Sequence, residues 1–169
     1  GLCGKPFHLI SSGSGLTLVA SCDGAADLTR SVVISVQEFL KDWDSPIHLR
    51  IGLHFGLLET IELNDGVAYA GSAIGVAQGI MQCADQDHIL ASSDFIERLP
   101  RPPRKMRIVD LGEIEVRHRY RKSVWNIFGD DFGNRRAPRR FILAILQEPV
   151  LIVLEHLSSV SRSLDGLNL

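Results

Sequence analysis

The sequence predicts an α+β or α/β fold in which helices pack against a sheet, and three observations lead there. Several short runs alternate apolar and polar residues with period two, as half-buried strands do. Two longer stretches repeat apolar residues every three or four positions, as amphipathic helices do. Glycine, asparagine, aspartate and proline fall between these runs, where turns belong.

Taken in order, Phe7–Ser12 and Leu16–Ala20 are β-prone runs around Gly13-Ser14-Gly15, which predicts a hairpin. Asp23 with Gly24 opens a helix with apolar positions at Ala25, Leu28, Val32, Val36 and Phe39/Leu40, ending near Trp43 before Ser45-Pro46. Ile47–Gly56 alternates as a strand, Leu57–Leu63 continues extended, and Asn64-Asp65-Gly66 makes a turn. Gly75–Cys83 reads as a second helix and His88–Ala91 as a short strand. Ser92-Ser93-Asp94 caps a short helix over Phe95–Leu99, and Arg101-Pro102-Pro103-Arg104 interrupts the chain. Met106–Val116 and Ser123–Phe128 form a closing strand pair. Beyond Asp130 come an arginine-rich loop, the apolar run Phe141–Leu146 and a helical stripe at Val150, Val153, Leu154, Leu157 and Val160. The expected division is a domain over 1–130 and a basic loop with an apolar, helical tail over 131–169. The stripe needs a covering surface, its own domain or a partner helix.

A chain of 169 residues with 45% apolar and 22% charged residues can build one globular core. Cys3, Cys22 and Cys83 are odd in number and widely spaced, which argues against a disulfide framework or a cysteine zinc site. The longest apolar runs are far too short for a bilayer span, so no membrane span and a cytoplasmic setting are expected. The first residue is glycine, and further sequence upstream of it is expected. The net charge of −2 conceals a split. Residues 1–97 carry four basic and twelve acidic side chains, a net of −8, whereas 98–140 carry thirteen basic and five acidic, a net of +8. Such a split suits an anionic partner or two complementary faces of a dimer.

Arg50-Ile51-Gly52-Leu53-His54-Phe55-Gly56, Gly71-Ser72-Ala73-Ile74-Gly75-Val76-Ala77-Gln78-Gly79, Ile89-Leu90-Ala91-Ser92, and Leu111-Gly112-Glu113 followed by Ser123-Val124-Trp125 occur in that order. They resemble a glycine–histidine strand, a helix start, the strand after it and the closing strand pair of class III adenylate/guanylate cyclase domains. The resemblance covers roughly residues 8–130. It implies an α+β fold with a ferredoxin-like sheet and packed helices, lacking the family's first strand and the helices after it. It also implies association as a homodimer, or as a heterodimer with another cyclase-like domain.

In that family, two aspartates hold two divalent ions that activate the ribose hydroxyl and neutralise the triphosphate. An arginine offsets charge on the reacting phosphoryl group, an asparagine positions the ribose, and a lysine reads the purine. Here the hairpin aspartate falls on Ser14, a poor ligand for magnesium. The asparagine falls on Gly75, the arginine on Gly79 and the base-reading lysine near Ile10. The first metal aspartate has no counterpart. The resemblance therefore implies a cyclase-like domain that has lost catalysis and acts as a regulatory or dimerisation module in cyclic-nucleotide signalling, without a cofactor. Two alternatives stand beside it. One is an active cyclase, using magnesium or manganese, completed by upstream residues or by a partner.

The other alternative is an anion- or nucleic-acid-binding module built on the basic 98–140 region. Its sharpest feature is Arg117-His118-Arg119-Tyr120-Arg121-Lys122, where Arg117, Arg119 and Arg121 would share one face on a strand; a solvated hairpin tip is the favoured explanation of it. His54 reads as a packed strand residue, and the other five histidines lack the spacing of metal ligands. The missing first strand leaves an edge that Phe141–Leu146 or another chain is expected to fill.

Overall fold

The structure, a computed structural model, describes residues 7–12, 15–20, 48–64, 66–99, 102, 105–117 and 120–142. The first predicted helix, after Asp23, and the tail beyond Ile142 lie outside the described residues. Strands β1 (Phe7–Ser12) and β2 (Gly15–Ala20) form the expected antiparallel hairpin, with Ile10 opposite Thr17. β3 (Ile51–Leu53) follows, then β4 (Glu59–Leu63) and β5 (Gly66–Ala70), helix α1 (Ser72–Gln82), β6 (Ile89–Ser92) and helix α2 (Ser93–Ile96). The closing pair is β7 (Arg107–Arg117) and β8 (Tyr120–Phe128).

The main sheet has the order β3-β6-β8-β7, parallel between β3 and β6 and antiparallel elsewhere. β6 is buried along its whole length, as a strand covered on both faces should be. One face meets α1: Val76, Ile80, Cys83 and Ala84 pack with Leu90, Ile114, Val116 and Val124. The other face gathers Ile89, Ala91, Met106 and Ile127 with Phe95 of α2, and Ile51, Leu53 and Phe55 pack against them. β4 and β5 pair only with each other, in a separate hairpin. The sequence places the extended Leu57–Leu63 and the turn after it, but no strand at Gly66–Ala70, where the structure has β5 paired back on β4.

Alternation along β3 places Gly52 opposite Leu90 and toward α1. A Cβ at Gly52 would overlap the Ala77 carbonyl oxygen and lie 2.6 Å from the Met81 nitrogen. Further along α1, a Cβ at Gly79 would lie 2.5 Å from the Val116 carbonyl oxygen of β7. The helix thus meets both outer strands of the sheet backbone to backbone. It begins at Ser72, three residues before the expected Gly75, because packing outweighs the low helix propensity of Gly75 and Gly79.

On β7, Asp110 opposes Trp125 but Glu113 opposes Ser123, so one extra residue is inserted. Gly112 takes φ +84°, and its N–H donates to Asp110 Oδ1 at 2.8 Å. This bulge reverses the inward parity of the strand. Ile108 faces the α2 side, whereas Ile114 and Val116 face α1.

Residues 129–142 fold back over the sheet as a strap. Phe141, expected to fill a strand edge, is 2% exposed and joins the α1-side core. The rest of the run to Leu146 lies outside the described residues. Gly79→Ala is expected to lower stability by about 1–3 kcal/mol, the range for overpacking, although alanine favours a helix by about 1 kcal/mol. Urea unfolding measures this; an unchanged or raised midpoint would show that α1 can move off β7.

Candidate functional site

Of the family positions, two lie on α1, one on β1 and one outside the described residues. Gly75 and Gly79 lie one turn apart on α1, with Gly79 buried against Val116. No side chain fits at 79 without lifting α1 from β7. Ile10 lies on β1 in its own two-stranded sheet, half-buried, and Ser14 is outside the described residues. Among the described residues, no group of three or more His, Cys, Asp or Glu could hold a metal ion. The described residues at the family positions, Ile10, Gly75 and Gly79, offer no side-chain oxygen to a divalent ion.

The main polar assembly lies where β3, β6, α2 and β8 converge. Ser92 ends β6 and caps α2, its Oγ accepting the Phe95 N–H at 3.2 Å. Ser92 Oγ also makes a hydrogen bond of 2.8 Å with His54 Nδ1, its direction set by the imidazole tautomer. Asp94 Oδ2 accepts from Lys122 Nζ at 2.6 Å and lies 3.8 Å from His54 Nδ1. Burial lowers the pKa of His54; Asp94 pulls it the other way, and the Lys122 charge adds to the lowering. For Asp94, burial pushes upward, but the Lys122 hydrogen bond and charge outweigh it and hold the carboxyl below its usual range. The Asp94 hydrogen bond raises Lys122 against the opposing effect of burial. His54 is the packed histidine the sequence suggested, but just past the strand and inside a charged network. Sequence reasoning found the Ser92 cap. It missed the Asp94–Lys122 pair, because only the fold brings the start of β8 to α2.

The basic cluster is not a strip on one strand. The chain turns between Arg117, which ends β7, and Tyr120, which opens β8 opposite it. Arg121, on the second strand, is 3.6 Å from Glu113, and Lys122 is engaged by Asp94. Arg119 is outside the described residues. Arg117 and Arg121 stand on different strands, as the hairpin-tip reading expects, and do not share the face of one strand.

Two further polar residues went unremarked in the sequence. His88 is buried, and its Nε2–H donates to the Arg136 carbonyl at 2.7 Å. Asn126 is buried on β8 and donates to the Asn134 carbonyl at 2.8 Å. Both fasten the strap. Their remaining acceptors, His88 Nδ1 and Asn126 Oδ1, have no hydrogen-bond partner among the described residues. Cys83 is buried, with burial raising its thiol pKa and the Arg140 charge partly opposing this.

The lowered His54 pKa has a stability consequence. The unfolded chain keeps the ordinary imidazole value of about 6.5 and so takes up the proton first. Stability from neutral His54 is complete above about pH 6.5 and is lost as pH falls through the lowered folded value. The urea midpoint should fall more steeply between about pH 7 and pH 5 in the wild type than in His54→Asn. Equal slopes would place the acid sensitivity elsewhere. Lys122→Met, which strands Asp94, should cost ~1 kcal/mol or less near neutral pH.

No family model and no curated protein match the chain. Solved structures do. The guanylate cyclase domain of RhGC from Catenaria anguillulae, in complex with GTP, superposes with a TM-score of 0.58 at 15% identity over 73% of this chain and 72% of that one. The dimeric guanylyl cyclase domain of the RhoGC fusion protein from the aquatic fungus Blastocladiella emersonii gives 0.56 at 18% identity, with the same coverage. These identities speak for the fold. With the glycine–histidine strand, the α1 start and the closing strand pair in the expected order, they agree with the resemblance read from the sequence. The chain folds as a class III nucleotide cyclase-like domain.

Proposed function

We propose that the chain makes no cyclic nucleotide by itself and serves as a pairing or regulatory module in cyclic-nucleotide signalling. The observation that carries this reading is the closure of α1 on β7 at Gly79, where an added Cβ would lie 2.5 Å from the Val116 carbonyl oxygen. That position corresponds to the family's phosphoryl-stabilising arginine, and the space for its side chain is filled by backbone. A group that must stabilise developing charge needs a side chain aimed at the reacting atoms. At Gly75, one turn before, the position of the ribose-orienting asparagine carries no side chain either. Magnesium or manganese enters only in the competing reading, an active cyclase completed by upstream residues or by a partner.

Pairing is supported by the RhoGC domain, which is described as dimeric. Cyclase sites that form between subunits would give an inactive copy a role in positioning or silencing an active one. No helix among the described residues is long and apolar enough to cross a membrane. The setting we propose is the cytoplasm, in keeping with Cys83 as a buried free thiol.

The chain is expected to release no product from ATP or GTP with manganese, and to change the output of an active guanylate cyclase domain added to it. Product from the chain alone would overturn the reading. Gly75→Asn with Gly79→Arg restores the two family side chains. It should remain inactive and unfold about 5 °C or more below the wild type. Gain of product in that variant would mean that α1 leaves β7 at little cost.

A further inference from the structure

The strap presents Arg135, Arg136, Arg139 and Arg140, all exposed. Its backbone is held from beneath at several points. His88 donates to the Arg136 carbonyl, Asn126 to the Asn134 carbonyl, and the Arg139 N–H donates to Asp85 Oδ2 at 2.9 Å. Pro138 and Phe141 are buried under it. Arg135 pairs with Asp130 at 3.2 Å, and Arg140 donates to the Glu115 carbonyl at 3.0 Å. Gly133 lies so close to β8 that a Cβ there would be 2.9 Å from Phe128 Cα. Arg107, opposite Phe128 on β7, is therefore exposed beside the strap.

Arg107, Arg136 and Arg139 form no ion pair among the described residues. Of the acids around them, Asp130 is taken by Arg135 and Asp85 by the Arg139 N–H, and Asp131 is exposed. A fixed backbone carrying exposed guanidinium groups suits phosphate and carboxylate oxygens. Little chain order has to be created when such a surface binds.

Two observations select the kind of anion. The first is that the strap sets no aromatic ring beside its arginines. Phe141 is buried in the α1-side core, and Phe132 packs against the α2-side core. Sites for single-stranded nucleic acid combine a basic groove with stacking aromatics. The second is that the chain runs from the arginines directly into apolar sequence. Ile142, next to buried Phe141, is 43% exposed. From Phe141 to Leu157 there are twelve apolar residues, two glutamates and no lysine or arginine. The runs Phe141–Leu146 and Val150–Leu154 are far shorter than the about 20 residues that cross a bilayer. Basic residues joined to a short apolar segment suit the surface of an anionic bilayer, where charge attraction and shallow apolar insertion add.

We propose that the strap is a membrane-surface site. Arg107, Arg136 and Arg139 engage the headgroups of anionic lipids, and Ile142 with the apolar sequence after it meets the acyl boundary. The site is independent of whether the chain pairs and of whether it makes cyclic nucleotide.

Co-sedimentation of the full chain with lipid vesicles tests this. The wild type should sediment with vesicles of phosphatidylcholine and phosphatidylserine in equal parts, and stay in solution with phosphatidylcholine alone. Raising the salt from about 0.1 M to about 1 M should release it. Arg136→Gln with Arg139→Gln should weaken partitioning about thirtyfold, roughly fivefold for each arginine. Both side chains are exposed, so the urea midpoint of this variant should match the wild type, which separates lost binding from lost fold. Ile142→Ser should weaken binding several-fold without changing its salt dependence; unchanged binding would strike out the apolar contact. A wild type that ignores the mixed vesicles, or binds both kinds equally, overturns the proposal, as does a double arginine variant that binds like the wild type. A labelled single-stranded oligonucleotide that displaces the chain from the vesicles would give the strap to nucleic acid instead.

Discussion

Helix α1 meets the sheet through backbone at two points, Gly52 on β3 and Gly79 against Val116 of β7. Between them, Val76, Ile80 and Leu90 close the core. Because neither outer strand can be pushed away by a side chain, the helix sits low across the sheet. The β7 bulge then turns Ile114 and Val116 toward α1 while leaving Ile108 on the opposite face. Packing this close brings many weakly attractive atoms into contact at once, and it leaves no room on that helix face for a longer residue.

This arrangement accounts for both what the fold keeps and what it lacks. The glycines that let α1 approach β3 and β7 include the position where the resemblance would place an arginine. In a catalytic cyclase, the same stretch of helix would have to present side chains to a nucleotide. Here the residues around Gly79 serve the interior. Polar chemistry is displaced to two other places: the His54–Ser92–Asp94–Lys122 network beside α2, and the His88 and Asn126 fastenings of the strap. Both tie secondary structure together through buried or half-buried groups whose partners are supplied across the sheet.

Much of the fold was legible because its signals are local. The two β-prone runs of β1 and β2, the Ser92 cap, and the alternation through β7 and β8 each depend on neighbouring residues, and each element appears. The second hairpin strand at Gly66–Ala70 was not legible, since a five-residue stretch with two alanines has little strand preference of its own and is extended because β4 pairs with it. The start of α1 was misplaced because glycine signals a break locally, while here it answers a packing demand. The basic cluster, for which the sequence favours a hairpin tip, does lie where β7 gives way to β8.

The sequence by itself determined the order of the elements other than β5, the separation of acidic from basic residues, and the absence of side chains at Gly75 and Gly79. Periodicity, capping and residue identity are properties of the chain alone. Only the tertiary structure decided that Gly79 is closed by the Val116 carbonyl, that Lys122 belongs to Asp94, and that Phe141 fills the core instead of a strand edge. Those facts depend on which distant segments come within a few ångströms of each other, and that is settled when α1, the sheet and the strap compete for the same interior space.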